Sequence, residues 1–172
     1  MSRCLNLTLA GIAACFVVGC ATQSTPDLTS AQRMQRVRTT AYTHTEKGGP
    51  RNAIGKRLSA HRVMSAASDW SRFPLGTHFR IADTNEEYII DDYGTALIGT
   101  DTIDLYKANR LAMKRWGVRH VDIAILEWGS EEQSLKVLGP RCKHHYVRKM
   151  VAALEKKRGK TVAQASSTRR SL

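Results

Sequence analysis

The sequence predicts a mainly β domain with one short helix before its last strand and a basic helix after it. Three observations lead there. Between Gln35 and Ser130, short runs rich in β-branched residues are separated by glycine and proline turns. One run in that region, "KANRLAMKRWG", has the helical period and stops at Gly117. After Gly129 a polar stretch leads into "HHYVRKMVAALEKK", where Val147, Met150, Val151 and Leu154 recur at helical spacing among basic residues.

The elements follow in order. "RVRTTAY" alternates and ends a strand near Tyr42. "THTEKGGPRNAIGKRLSAH" holds Gly48, Gly49, Gly55 and Pro50, and is a loop long enough to be a binding loop. "RVMSAAS" is a strand running to Asp69. "FPLGTHFRI" places a turn before a strand from Thr77 to Ile81. "EYIID" enters a cluster of acids and "TIDLY" leaves it. In the helix, Ala108, Leu111, Ala112 and Trp116 are expected on the buried face. In "VDIAILEW", Val121, Ile123 and Ile125 alternate with Asp122, Ala124 and Leu126. Residues 131–158 read as a polar hinge and a basic amphipathic helix, whose stripe is either core or a membrane-surface face. Residues 159–172 read as a disordered tail.

The first residues have another character. A positive start is followed by the uncharged run "CLNLTLAGIAACFVV", too short for a comfortable membrane span, and then by "VVGC". This resembles a bacterial lipoprotein signal. The resemblance implies a signal peptide over 1–19, lipidation of Cys20, and a flexible tether over 20–34 rich in Ser, Thr and Pro. Ala21 after that cysteine favours the outer membrane, facing the periplasm. A mature chain would keep only Cys142, so its domain must be held by its core and not by a disulfide. Cys142, His144 and His145 lack zinc-ligand spacing, and neither a metal nor a cofactor is expected.

The chain is strongly basic, with a formal net charge of +12. An exported basic surface meets anionic lipid or wall polymer rather than nucleic acid, so nucleic acid is not an expected partner. The protein is expected to be a monomer held to the envelope by its N-terminal lipid.

Within this basic chain, "IIDDYGTALIGTDTIDLYK" gathers Asp91, Asp92, Asp101 and Asp104. Aspartates at strand ends commonly accept hydrogen bonds from neighbouring loops. Asp104, between Ile103 and Leu105, must face away from whatever those two pack against.

"SAASDWSRFPLGTHFRI", "DDYGTALIGTDTIDLY", a helix ending in "RWG" and "VDIAILEW", in this order, resemble the 3D domain, named for three aspartates. The resemblance covers about Arg36 to Trp128, and residues 35–130 are assigned as the domain. It implies a six-stranded double-psi β-barrel like that of membrane-bound lytic transglycosylase A and rare lipoprotein A. The family's aspartates fall on Asp69, Asp92 and Asp104, and its turn glycines on Gly94 and Gly99. Asp104 matches the catalytic acid and base, and Asp92 is expected to raise its pKa by like charge. Tyr42 and Tyr93, with these glycines, are expected at the substrate.

The implied activity is lytic transglycosylase cleavage of β-1,4 bonds in peptidoglycan glycan strands. There the sugar's own 6-hydroxyl is the nucleophile, so a single carboxyl group suffices where other glycosidases need two. Two departures stand out: Thr95 replaces the second turn glycine, and Ile98 replaces a lysine that would place a cation in the groove. They keep open the alternative of a peptidoglycan-binding lipoprotein without turnover.

Overall fold

The computed structural model describes residues 32–46 and 48–170. The signal segment and Cys20 lie outside the described residues. The described residues include six strands: β1 Gln32–Tyr42, β2 Val63–Ala67, β3 His78–Ile81, β4 Glu87–Asp92, β5 Ile103–Tyr106 and β6 Arg119–Glu127. Three helices accompany them: α1 Arg110–Trp116, α2 Glu131–Leu138 and α3 His145–Arg170.

The strands close in the order β1-β5-β2-β4-β3-β6. Two neighbours are parallel, β1 with β5 and β2 with β4, and the rest are antiparallel. Exchanging β1 with β4, β2 with β5 and β3 with β6 leaves every one of these pairings unchanged. The barrel is thus two interlocked three-strand units related by a pseudo-twofold axis, the double-psi arrangement. Closure leaves no barrel strand with an unpaired edge.

Alternation decides which residues fill the barrel. Ile103 and Leu105 of β5, Ile90 of β4, Phe79 and Ile81 of β3 and Ile123 of β6 are almost wholly buried. Their neighbours at odd spacing, including Thr40 and Asp104, therefore point outward. In α1, Asn109 caps the N-terminus by accepting the Ala112 N–H, and Gly117 ends the helix at φ 61°. The buried face of α1 differs from the expected one. Trp116 is buried and its Nε1–H donates to Thr39 Oγ1 at 3.2 Å, whereas Leu111 is 67% exposed. One short helix cannot cover both sides of its own cylinder.

Three boundaries differ from the expected ones as well. β1 begins at Gln32, so the last three residues of the expected tether, 32–34, are strand. Residues 131–138, expected as a hinge, form α2, because Ser130 accepts the Gln133 N–H and Glu131 and Glu132 occupy the first turn. Backbone helix also continues to Arg170, where a disordered tail was expected.

The helical extension is fastened to the barrel through the "PLGT" turn. Leu75 N–H donates to Ser134 Oγ, Ser130 N–H to Leu75 C=O, and Gly129 N–H to Thr77 Oγ1. Val147, Met150 and Leu154 of α3 are fully buried and belong to the same cluster of buried residues as the barrel core. Each contributes roughly 1.5–3 kcal/mol of burial. The stripe of α3 is therefore core, and a membrane-facing use of it is removed.

Candidate active site on the outer face of the barrel

The outward positions of β1, β5, β2 and β4 bring three acids together. Ala67 of β2 is paired with Asp104 on one side and Asp92 on the other, so these two acids flank a single strand. Two inter-strand spacings put their backbones about 10 Å apart. Tyr42, on β1, closes the gap: its hydroxyl donates to Asp92 Oδ2 at 3.4 Å. Burial and the charges of Asp92, Asp91 and Asp104 push that hydroxyl up, so Tyr42 stays a proton donor.

The long loop after β1 lies over this face. Within it, Asn52 and Lys56 form a turn in which Gly55 takes φ 82° and the Asn52 side chain accepts the Ile54 and Lys56 N–H groups. The same side chain donates from Nδ2 to Asp91 Oδ2 at 2.7 Å, and Ser65 Oγ donates to that oxygen at 2.7 Å. Asp91 is buried, and burial pushes its carboxyl up against the lowering effect of these donors. Its other oxygen has no hydrogen-bond partner among the described residues.

The acids differ in what their oxygens already do. Both Asp92 oxygens are engaged, Oδ1 by the Tyr93 N–H at 2.9 Å and Oδ2 by Tyr42. Both Asp69 oxygens are engaged as well: Oδ1 accepts from Ser71 N–H and Oγ, and Oδ2 accepts the Gly99 N–H at 2.6 Å. Asp101 is exposed and pairs with Arg72 at 3.5 Å. Of the acids on this face, Asp104 alone combines one committed oxygen, Oδ1, which accepts from Thr40 Oγ1 at 2.6 Å, with a second that is neither fully buried nor hydrogen-bonded among the described residues. That free oxygen is the one available to an outside molecule.

Burial raises the Asp104 carboxyl to about 6; the Thr40 hydrogen bond opposes this, Glu46 of the loop adds to it, and Arg38 opposes it. The expectation that Asp92 would supply the like charge is corrected: Glu46 does. Asp92 is itself raised to about 6, chiefly by burial and with a contribution from Asp91. A stability consequence follows from the direction. Between about pH 4 and pH 6 the folded chain holds protons on Asp92 and Asp104 that the unfolded chain has released, so stability falls as pH rises. Thermal melts are expected to show a higher midpoint at pH 5 than at pH 7. Each acid contributes on the order of 1–2 kcal/mol after discounting for its contact with solvent.

The remaining site expectations are sorted by these contacts. Asp69 does not join the acid face. It is buried under the turn after β4, where its Oδ2 holds Gly99, whose φ of 84° requires glycine. Gly99 therefore spends its N–H on Asp69 rather than on a substrate. Gly94 is extended at φ −131°, so it is not a left-handed turn residue. Tyr93 sets its ring edge-on against Trp70 with centroids 5.1 Å apart, and its hydroxyl accepts from Arg141 Nη1 at 3.2 Å. It ties the turn to the helical extension. Trp70 is wholly buried and donates from Nε1 to the Asp92 carbonyl. Ile98, standing where the family pattern carries a lysine, lines a cleft with Lys149 and Lys157 of α3, so cations reach this region from another element.

Sequence reasoning missed Thr40, Asn52, Ser65, Glu46 and Arg38. The signal for Asn52 was present, since Asn-x-x-Gly in a long loop marks a turn, but its partner lies 39 residues away.

Fold and site together define a double-psi β-barrel with carboxylates on one outer face. Residues 64–127 match the family model of the 3D domain. The match spans β2 to β6, so Thr40, Tyr42 and Asn52, which hold Asp104, Asp92 and Asp91, come from outside it. No curated protein matches the chain.

Proposed function

We propose that the protein is an exported lipoprotein, anchored through Cys20 and facing the periplasm from the outer membrane. It cleaves the β-1,4 glycosidic bond of peptidoglycan glycan strands by the lytic transglycosylase route. The observation that carries this reading is the free oxygen of Asp104 on a carboxyl whose pKa is about 6. The 3D domain links the chain to peptidoglycan-associated proteins.

In this reading protonated Asp104 gives its proton to the leaving glycosidic oxygen as the bond from that oxygen to C1 breaks. The resulting carboxylate takes the proton of the same sugar's 6-hydroxyl as that oxygen bonds to C1, which yields a 1,6-anhydro ring. Thr40 donates to Oδ1 throughout, so the proton that moves is held on the outward oxygen. Tyr42, kept protonated, holds Asp92 and with it the wall of the face opposite Asp104.

The acid step requires the proton, so the rate falls as pH rises through about 6. Incubation with purified sacculi is expected to release 1,6-anhydro-muropeptides faster at pH 5.5 than at pH 7.5, by roughly tenfold if protonation limits the rate. Retention on sacculi at both pH values with no such product would replace the enzyme reading with that of a wall-binding lipoprotein.

A further inference from the structure

A second cleft of about 340 Å³ lies beside the acid face, and its wall on that side is Tyr106. Tyr106 follows Asp104 by two residues on β5, about 7 Å along the strand and of the order of one sugar ring. Its ring meets Tyr42 edge-on at 5.6 Å, and its hydroxyl lies 3.0 Å from His44 Nδ1. The cleft is thus one tyrosine away from the reacting carboxyl.

The lining has a definite chemistry. Met64, Ala108, Ala112 and the Trp116 ring give it apolar surface, and three cations, Lys107, Arg115 and Arg119, stand against one carboxylate, Glu86. Most of that charge is already committed. Lys107 Nζ bonds Glu86 at 3.1 Å and Tyr88 OH at 2.6 Å, and lies 4.5 Å from the centroid of Trp116. Arg119 covers the other part of Trp116 at 4.2 Å and donates to the carbonyls of Arg115 and Trp116 at the end of α1. The Arg115 guanidinium has no hydrogen bond, ion pair or ring contact among the described residues. Its position, three residues after Ala112, puts it on the helix face that lines the cleft. A free guanidinium beside an apolar surface fits a carboxylate on a short aliphatic stem, since its fork of donors matches the two carboxylate oxygens.

The geometry points to this cleft as the subsite for the acidic peptide side group of a muramoyl sugar, with Arg115 taking the carboxylate and Met64, Ala108 and Ala112 taking the aliphatic part. The assignment rests on the glycan-strand reading, because it places the sugar ring at Asp104 and its side group past Tyr106. It makes the protein selective for peptide-bearing over stripped glycan.

The test measures binding and needs no turnover. The full chain is titrated with an N-acetylmuramoyl dipeptide and with the same compound after its carboxylates are amidated, by calorimetry. Amidation is expected to weaken binding by at least about tenfold, the scale of a lost charge-assisted pair. Arg115→Gln is expected to remove that difference, whereas Arg110→Gln, a basic-residue change at the first position of the same helix, keeps it. Arg115 is exposed, so the variant is expected to fold, which circular dichroism verifies. Equal affinity for the two compounds, no binding of either, or a preference that survives Arg115→Gln overturns the assignment. Asp104→Asn separates this outcome from the functional reading: a chain that never cleaves sacculi would still show the carboxylate preference in that variant.

Discussion

Asp104→Asn is expected to abolish release of 1,6-anhydro-muropeptides, by a factor of at least about a hundred, because general acid catalysis at one positioned group carries effects of that size. The barrel is expected to stay folded. The carbonyl of the introduced amide can still accept from Thr40, and the substitution removes a carboxylate whose ionisation burial opposes. At pH 7 the variant is therefore expected to melt at or above the wild-type temperature, and at pH 5 the advantage shrinks because Asp104 is then largely protonated. A variant that loses activity through unfolding would show the reverse. Activity retained within a few fold would move the chemistry to another group, and among the acids of this face no other has a free, accessible oxygen.

The second large effect is on stability. Gly129→Ala is expected to destabilise the fold by more than about 3 kcal/mol, beyond the range of ordinary surface changes. A Cβ at this position would overlap the carbonyl oxygens of Pro74 and Leu75 and come within 2.5 Å of the Thr77 nitrogen. All three are backbone atoms of the "PLGT" turn, so no side chain can rotate away. That turn cannot retreat without breaking the bonds it makes to Ser134 and Ser130. Relief would have to come from lifting α2 and α3 off the barrel and exposing Leu138, Val147, Met150 and Leu154. Gly48→Ala is the control, since nothing lies within 4 Å of its Cβ and its backbone is outside the left-handed region. At about 2–4 °C per kcal/mol for a chain of this size, the first substitution is expected to lower the melting midpoint by roughly 10 °C, and the second to leave it unchanged. A Gly129→Ala midpoint within a couple of degrees of wild type would mean that the turn and the helices are not packed as described.

These two residues also mark what can be read from a sequence. Asp104 stood out because an acid between Ile103 and Leu105 has only one face to occupy, and period two is a property of the strand itself. Gly129 carried no such signal. Its requirement comes from a turn more than fifty residues earlier, and distance along the chain hides it. α2 lay between these cases. Ser130 with Glu131 and Glu132 is a start signal, but the polar composition of "SEEQS" masked it, and Leu135 and Leu138, a single turn apart, were too little to establish a period.

The acid cluster divides in the same way. That some aspartates between Ile89 and Lys107 would be special was legible, and Asp104 and Asp92 do lie on one face. That Asp69 supports a glycine turn, and that Asp91 is buried with Asn52 and Ser65, was not legible, because each partner arrives through barrel closure. The neighbour that raises Asp104 by charge proved to be Glu46 on a loop, for which sequence spacing gives no distance.

By itself the sequence determined the local terms: which residues alternate, where turns must fall, which acids face away from apolar neighbours, and the change of character after Gly129. Only the tertiary structure decided how the two halves interlock, since the exchange of β1 to β3 with β4 to β6 is a symmetry of backbone pairing with no matching repeat in side chains. It also decided which carboxyl keeps a free oxygen. Hydrogen bonds from remote segments use up the others, and burial, a property of the packed molecule, sets the proton affinity of the one that remains.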